Sequence, residues 1–514
     1  MYNENSIYEM EKATHVYSGF SMKSKDRVFS VFMALLIVPF VVLTLWGGFN
    51  SGYTVSVIGF LTLFTAYLAN KKVKFKFFPF ICFVLSLVSA VVFTYSSDFA
   101  VRFFLFTLLT LMVSIWICYL GGYNMSDDYN LVSAVLIGIF GSAFGSLGKS
   151  LSSVFYNENK KKIKIGKIIA GIACAVPAMI ILVLLLRSSD AAFDGMLSKI
   201  VETFGDLGSL IFKINVGLLF FPFTVSLGIG LAKNKREQKG WRIQGNIDKV
   251  FTVSFLSAIS LVYVAYILSQ LAYFFNAFKG LLPQGITYAS YARRGFFEMT
   301  VIAAINFIFI SLASMLTRKN ENGKRSTALN IIMVFIGIFT LLLIAVSLSK
   351  MILYINYFGM TRLRILTSAF MVFLALLFIA VILRAFIKKI PIIKTGIIAA
   401  VIILITLGFA NVDKTVAKYN LYAYEQGYIE NLDIETMGEL GYSAVPTLYT
   451  VFKGEQYDYE LRFKAREELF EKAEEIYDIR IIDGKTEYIT KTNLGGFNVS
   501  KYKAQKILYE FLAN

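Results

Sequence analysis

LLPQGITYASYARRGFFEMTVIAAINFIFISLASML, residues 281–316, is the stretch from which the rest of the chain is read. Its second half is an unbroken apolar run, long enough to cross about 30 Å of hydrocarbon as a single helix. Pro283 and Gly285 break any helix ahead of it, and Tyr291, Arg293, Arg294 and Glu298 stand at its threshold. A long apolar helix entered through two arginines and a glutamate makes two questions central. One is how many such helices there are, and the other is on which side of a membrane these charges lie.

Composition answers in the same sense. The 514 residues are 57% hydrophobic and 17% charged, against about 45–50% and about 25% in a soluble domain. The formal charge of +17 is unevenly spread. Through Ala410 there are 38 Lys and Arg against 16 Asp and Glu; from Asn411 onward there are 13 against 18. The basic excess therefore belongs to the apolar part, where short cytoplasmic loops collect Lys and Arg, and a nucleic-acid partner is not needed to account for it. The three cysteines (Cys82, Cys118, Cys174) fall inside apolar runs, and the one histidine, His15, lies in a polar N-terminal segment. That inventory offers no transition-metal site and no cofactor. The first apolar run is too long for the core of a cleavable signal.

Apolar runs predict eleven crossings, at about 28–46, 53–69, 77–95, 100–120, 166–186, 210–232, 250–275, 296–316, 327–349, 365–386 and 392–410. Basic clusters follow every second one: Lys71 to Lys76, Lys149 to Lys167, Lys233 to Arg242, Arg318 to Arg325, and Arg384 to Lys394. The run 131–147 is short and glycine-rich. If it crossed, the lysines after it would face outward, so it reads as interfacial or re-entrant. Alternation then places residues 1–27 in the cytoplasm, 28–410 in the bilayer and 411–514 outside. Two outer segments carry patterns of their own. Asp190 to Gly208 spaces Phe193, Leu197, Ile200, Phe204 and Leu207 as an amphipathic helix, lying on the outer surface or tucked against the bundle. Lys279 to Arg294 is a broken loop. In the tail, Asp433 and Ser443 are expected helix caps, Tyr457 to Asp478 an amphipathic helix, residues 481–485 a turn between two strands, and Ser500 to Leu512 a last helix. The fold class is thus an all-α polytopic membrane protein with a small extracytoplasmic C-terminal domain, α+β or mostly helical.

Chemistry is harder to find. AFGSLGKS at 143–150 ends like a phosphate-binding loop, but Ala143 stands where that loop needs glycine, and no acidic strand follows to hold magnesium. No charged residue lies near the middle of a span, which argues against an ion-driven pump. The outer arginines remain: Arg293 and Arg294 before one span, Arg362 and Arg364 before another, and Arg102 near the outer end of a third. Guanidinium groups grip phosphate or carboxylate through paired bonds, and their placement outside opposes the bias that directs threading. Arg293, Arg294, Arg362 and Arg364 read as an anion-binding set, with Tyr291, Glu298 and Tyr357 in support; alternatively the outer arginines reach lipid phosphates or pair with acids such as Glu298 and Asp194 for structure.

YARRGFFEM at 291–299, Tyr357-Phe-Gly-Met-Thr-Arg-Leu-Arg364, Asn420, and the run from Asn431 through Pro446 resemble the bacterial multi-spanning membrane proteins of the domain-of-unknown-function families 4173 and 4153. The resemblance implies a bacterial cell-membrane protein and carries no activity, cofactor or catalytic residue with it. The expected role is binding or moving an anionic or lipid-linked envelope compound at the outer leaflet. Its rivals are a membrane-anchored sensor or assembly scaffold acting through the exterior domain, and a membrane-embedded transferase using Glu298 or Asp194 as base.

Overall fold

The computed structural model describes residues 23–45, 48–69, 74–147, 182–183, 186–233, 246–279, 296–318, 326–387, 390–482, 485–491 and 496–513. Among these, ten helices are long and apolar enough to cross a membrane. They lie within α1 Ser24–Leu45, α2 Ser51–Leu68, α3 Phe77–Tyr95, α4 Phe99–Leu120, α7 Ala191–Lys233, α8 Lys249–Lys279, α9 Phe296–Leu316, α10 Thr327–Phe358, α11 Arg362–Phe386 and α12 Ile392–Ala410. Ten of the eleven expected crossings coincide with these helices to within a few residues, except that α7 begins 19 residues earlier and α10 runs nine residues further. The eleventh, 166–186, lies almost wholly outside the described residues. The chain is a multi-pass membrane protein.

The contacts fall into two compact units, Met1–Thr94 with Leu109–Gly240 and Thr492–Asn498, and Tyr95–Leu108 with Trp241–Lys491 and Val499–Asn514. In the first unit, which helix ends meet follows from polar side chains. Lys233 at the end of α7 pairs with Asp26 at the start of α1 at 2.6 Å, and Tyr67 at the end of α2 donates to the other Asp26 oxygen at 2.7 Å. Asp26 is only 4% exposed; a buried carboxylate is tolerable because both its oxygens are taken. Asp26 belongs to α1, so the first span begins four residues before the expected boundary. Lys76, just before α3, reaches Asn124, just after α4. The start of α1, end of α2, end of α4 and end of α7 therefore share one end, as strict alternation requires.

Residues 128–145 behave differently. They form α5 Asp128–Leu136, a π-turn Ile137–Gly141 and α6 Ser142–Gly145. Gly138 is pressed against Cys118, whose sulfur would lie 2.6 Å from an added Cβ. Ser142 accepts through its carbonyl from Ser226, and a Cβ on Gly230 would meet its backbone at 2.9 Å. Cys118, Ser226 and Gly230 all sit within seven residues of the helix ends that gather around Asp26. The segment thus packs against those ends of α4 and α7, and its middle is a π-turn, a local widening of the helix. The phosphate-loop resemblance ends here too: a helix, not a strand, precedes Ala143, and residues 148–150 lie outside the described residues.

The amphipathic stretch 190–208 is not a separate surface helix. It is continuous with the next span in the 43-residue α7, because nothing between Gly205 and Leu210 interrupts backbone hydrogen bonding. At about 1.5 Å per residue this helix is about 65 Å long, roughly twice the hydrocarbon thickness.

In the second unit, α8 to α12 pack around Leu329, Ile336, Phe378 and their neighbours. Asn306, fully buried in α9, accepts from Tyr263 of α8 and donates to Thr340 of α10 at 2.8 Å. This joins three helices where lipid offers no alternative partner. After α12 the tail is mostly helical: α13 Val412–Glu425, α14 Ile434–Gly438, α15 Val445–Lys453, α16 Tyr459–Ile476 and α17 Val499–Ala513. A hairpin, β1 Tyr477–Ile482 and β2 Lys485–Thr490, pairs antiparallel from Tyr477 opposite Thr490 to Ile482 opposite Lys485. Asp433 caps α14, accepting from Thr436 N at 2.9 Å. Ser443 caps no helix; it lies in a 3-10 turn, and its hydroxyl joins Asn411 and Ser97 instead. The tail is not self-contained. Its core of Val416, Leu448, Leu469, Ala473 and Leu508 continues into Val101 of α4, with Met360, Ile365 and Leu407 packed against it.

Candidate functional site

Arg362 opens α11 at the corner where the spans meet the tail. Its Nε donates to Asp413 and lies 3.6 Å from Asp98, and its Nη2 donates to the Glu439 carbonyl at 2.8 Å. Both carboxylates are 2% exposed, while the guanidinium is 39% exposed. Local sequence explains each position. Asp98 caps α4, accepting from Val101 N at 2.7 Å. Asp413 is in the first turn of α13, where a negative charge meets the positive end of the helix dipole. Thr361 caps α11, accepting from Arg364 N. Burial pushes the Asp413 carboxyl above its usual range, against the opposing pull of Arg362 and a hydrogen bond from Ser97.

Two further residues close the joint. Asn411 adopts a left-handed backbone, φ 56°, a conformation Asn tolerates better than most. It turns the chain from α12 into α13, accepts from Lys414 N, and donates to Ser443 and Ser500. Asn420 of α13 clasps the α10–α11 loop with both ends of its amide: Met360 N donates to it at 2.6 Å, and it donates to Met360 O at 2.9 Å. Gly359 makes that approach possible, with φ 74° and space that an added Cβ would fill 2.8 Å from the Asn420 oxygen. Arg364 stacks on Tyr354 at 4.1 Å and donates to the Phe358 and Gly359 carbonyls, tying off the end of α10.

Of the residues expected to hold an anion, Arg362 and Arg364 thus meet acceptors from the protein itself. Tyr357 lies in the last turn of α10, 48% exposed. Tyr291, Arg293 and Arg294 lie outside the described residues, as does the side chain of Glu298. The structure brings Arg362 together with two acids that sequence reasoning did not single out, Asp98 and Asp413. A signal was present: each is an acid within a few residues of a span, in turns nearly free of Lys and Arg. Among the described residues no group of His, Cys, Asp and Glu could hold a metal ion.

The Tyr357 to Arg364 motif, Asn420 and the Asn431–Pro446 run therefore have one structural meaning. They are the two sides of a joint that fixes the tail to the ends of α4, α11 and α12. No curated protein and no solved structure matches the chain. The profile of a family described as Domain of unknown function (DUF4153) matches residues 80–451, which takes in the spans from α3 onward and most of the joint. The chain belongs to the DUF4153 family.

Proposed function

We propose that this protein is a membrane-anchored receptor or assembly scaffold, working through a tail held rigidly on its spans outside the cytoplasm. The observation that carries this reading is the joint. Arg362 bonds from the start of α11 to the tail, Asn420 from the tail back to the α10–α11 loop, and Asn411 ties their junction to Ser500, while one apolar core runs through both parts. A freely tethered module needs none of this; a module whose state must reach the spans does. The lopsided Lys and Arg distribution supports an outside tail and a cytoplasmic N-terminus. A bacterial cell membrane and kinship with family 4173 belong to the same proposal, on the motifs quoted above.

The anion-handling reading now rests on Arg293 and Arg294, since the donors of Arg362 and Arg364 meet protein acceptors. Complementation of a gene-deletion strain separates the two readings, with membrane level checked for every variant. Alanine at exposed tail aromatics such as Tyr422, Tyr428, Tyr459 and Phe463 abolishes complementation by a receptor, while R293A/R294A retains it. Full complementation by the tail variants together with loss in the arginine pair overturns the receptor reading and restores the anion site.

A further inference from the structure

Between α13 and α15 lies a cleft of about 410 Å³, within the range of about 300–1,000 Å³ usual for small-molecule sites. One wall is a single face of α13, carrying Lys418, Leu421, Tyr422 and Glu425 at positions i, i+3, i+4 and i+7. The other is Pro446, Thr447 and Thr450 of α15. The two charged residues of the cleft are of opposite sign and stand on α13 with their Cα atoms about 10 Å apart along the helix. Apolar surface from Leu421, Pro446 and the half-exposed Tyr422 ring lies between them. Glu425 is held in position: Tyr457, 6% exposed, donates to its Oε1 at 2.5 Å. Burial and the Glu425 carboxylate push the ionisation of that phenol up to about 12, so it remains a donor. Lys418 forms no ion pair or hydrogen bond among the described residues.

We infer that this cleft captures a short zwitterionic peptide of about three residues, its ammonium on Glu425 and its carboxylate on Lys418. An extended chain rises about 3.3–3.6 Å per residue, so three residues match the spacing of Lys418 and Glu425 along α13. The central side chain lies over Tyr422 and Pro446. Thr450, whose hydroxyl donates to Pro446 O, keeps oxygen lone pairs for a peptide N–H. Polarity is set by the two charges, because a reversed peptide meets like charge at both ends. The inference names the ligand class of the receptor reading and rests on it for its biological meaning. Binding itself is measured on purified protein, so a failed titration removes the peptide site while the complementation outcome stands apart.

The test is calorimetric titration of the full-length chain in lipid nanodiscs with the tripeptide Ala-Leu-Ala, its N-acetylated form and its C-amide. The free tripeptide binds, and blocking either terminus weakens binding about tenfold or more, the usual scale for losing a hydrogen bond to a charged group. K418E and E425Q each weaken binding of the free tripeptide about tenfold or more. Equal binding of the N-acetylated form and the C-amide, no binding of the free tripeptide, or unchanged binding by both variants overturns the inference. Binding of N-acetylglucosamine in place of the peptide overturns it also and makes the cleft a saccharide site.

Discussion

At the scale of single residues the decisive group is Arg362. Its removal leaves Asp98 and Asp413 buried beside each other without their cation. Breaking a fully buried pair costs about 3–5 kcal/mol; the guanidinium is partly exposed, so R362A should destabilise the second unit by about 2–3 kcal/mol. Thermal unfolding of purified protein measures this, and R362K should recover only part, because an ammonium cannot engage both carboxylates and the Glu439 carbonyl in one plane. Asp413 gives a pH dependence of unusual sign. Burial raises its carboxyl above the ordinary 3.8, so the folded chain takes up a proton more readily than the unfolded one. Stability from this group is full below that ordinary value and falls as pH rises through the raised one. Acidification from neutral pH should therefore raise the unfolding temperature through Asp413, and D413N should flatten that component.

At the scale of elements, close approach of backbones decides packing. Gly230 of α7 faces Ser142 of α6 so closely that an added Cβ lies 2.7 Å from the serine Cβ and 2.9 Å from its backbone. Backbone cannot move aside as a flexible side chain can. G230A should thus cost about 1–3 kcal/mol and displace the short segment, seen as faster hydrogen exchange over residues 128–145. At Gly195, where nothing lies within 4 Å of an added Cβ, alanine should be neutral or slightly stabilising on helix propensity. The contrast separates packing from propensity within a single helix.

At the scale of the whole molecule, the tail and the adjoining ends of α4, α11 and α12 make one hydrophobic core. A chain ending at Ala410 should therefore lose more than its tail: Val101, Met360 and Leu407 lose apolar cover, and the spans of the second unit should unfold at a lower temperature than in the intact protein. A tail of residues 411–514 expressed alone should be unfolded or aggregated by circular dichroism. Recovery of a folded, monomeric tail would show that the joint is a contact between independent domains. A reporter fused after Asn514 reads the side, and the Lys and Arg distribution predicts that it reports from outside the cytoplasm.

Much of the architecture was legible in one dimension, because a helix in hydrocarbon must satisfy its own backbone and so must announce itself as a continuous apolar run. The ten spans of the described residues follow from that local constraint; the amphipathic α16, with Ala465, Leu469, Ala473 and Ile476 buried, was legible from helical spacing of its apolar residues. The short segment 131–147 could be set apart by its length and by the lysines after it. What the sequence could not supply were the partners of Arg362. Asp98 and Asp413 are 315 residues apart in the chain, and an arginine before a span looks the same whether it awaits a ligand or is met by two buried acids. Nor could composition show that the core of residues 411–514 extends to Val101 of α4, since apolar residues carry no label for the surface they cover. Those facts are set by long-range packing, in which distant segments compete for the same space, and only the tertiary structure decided them.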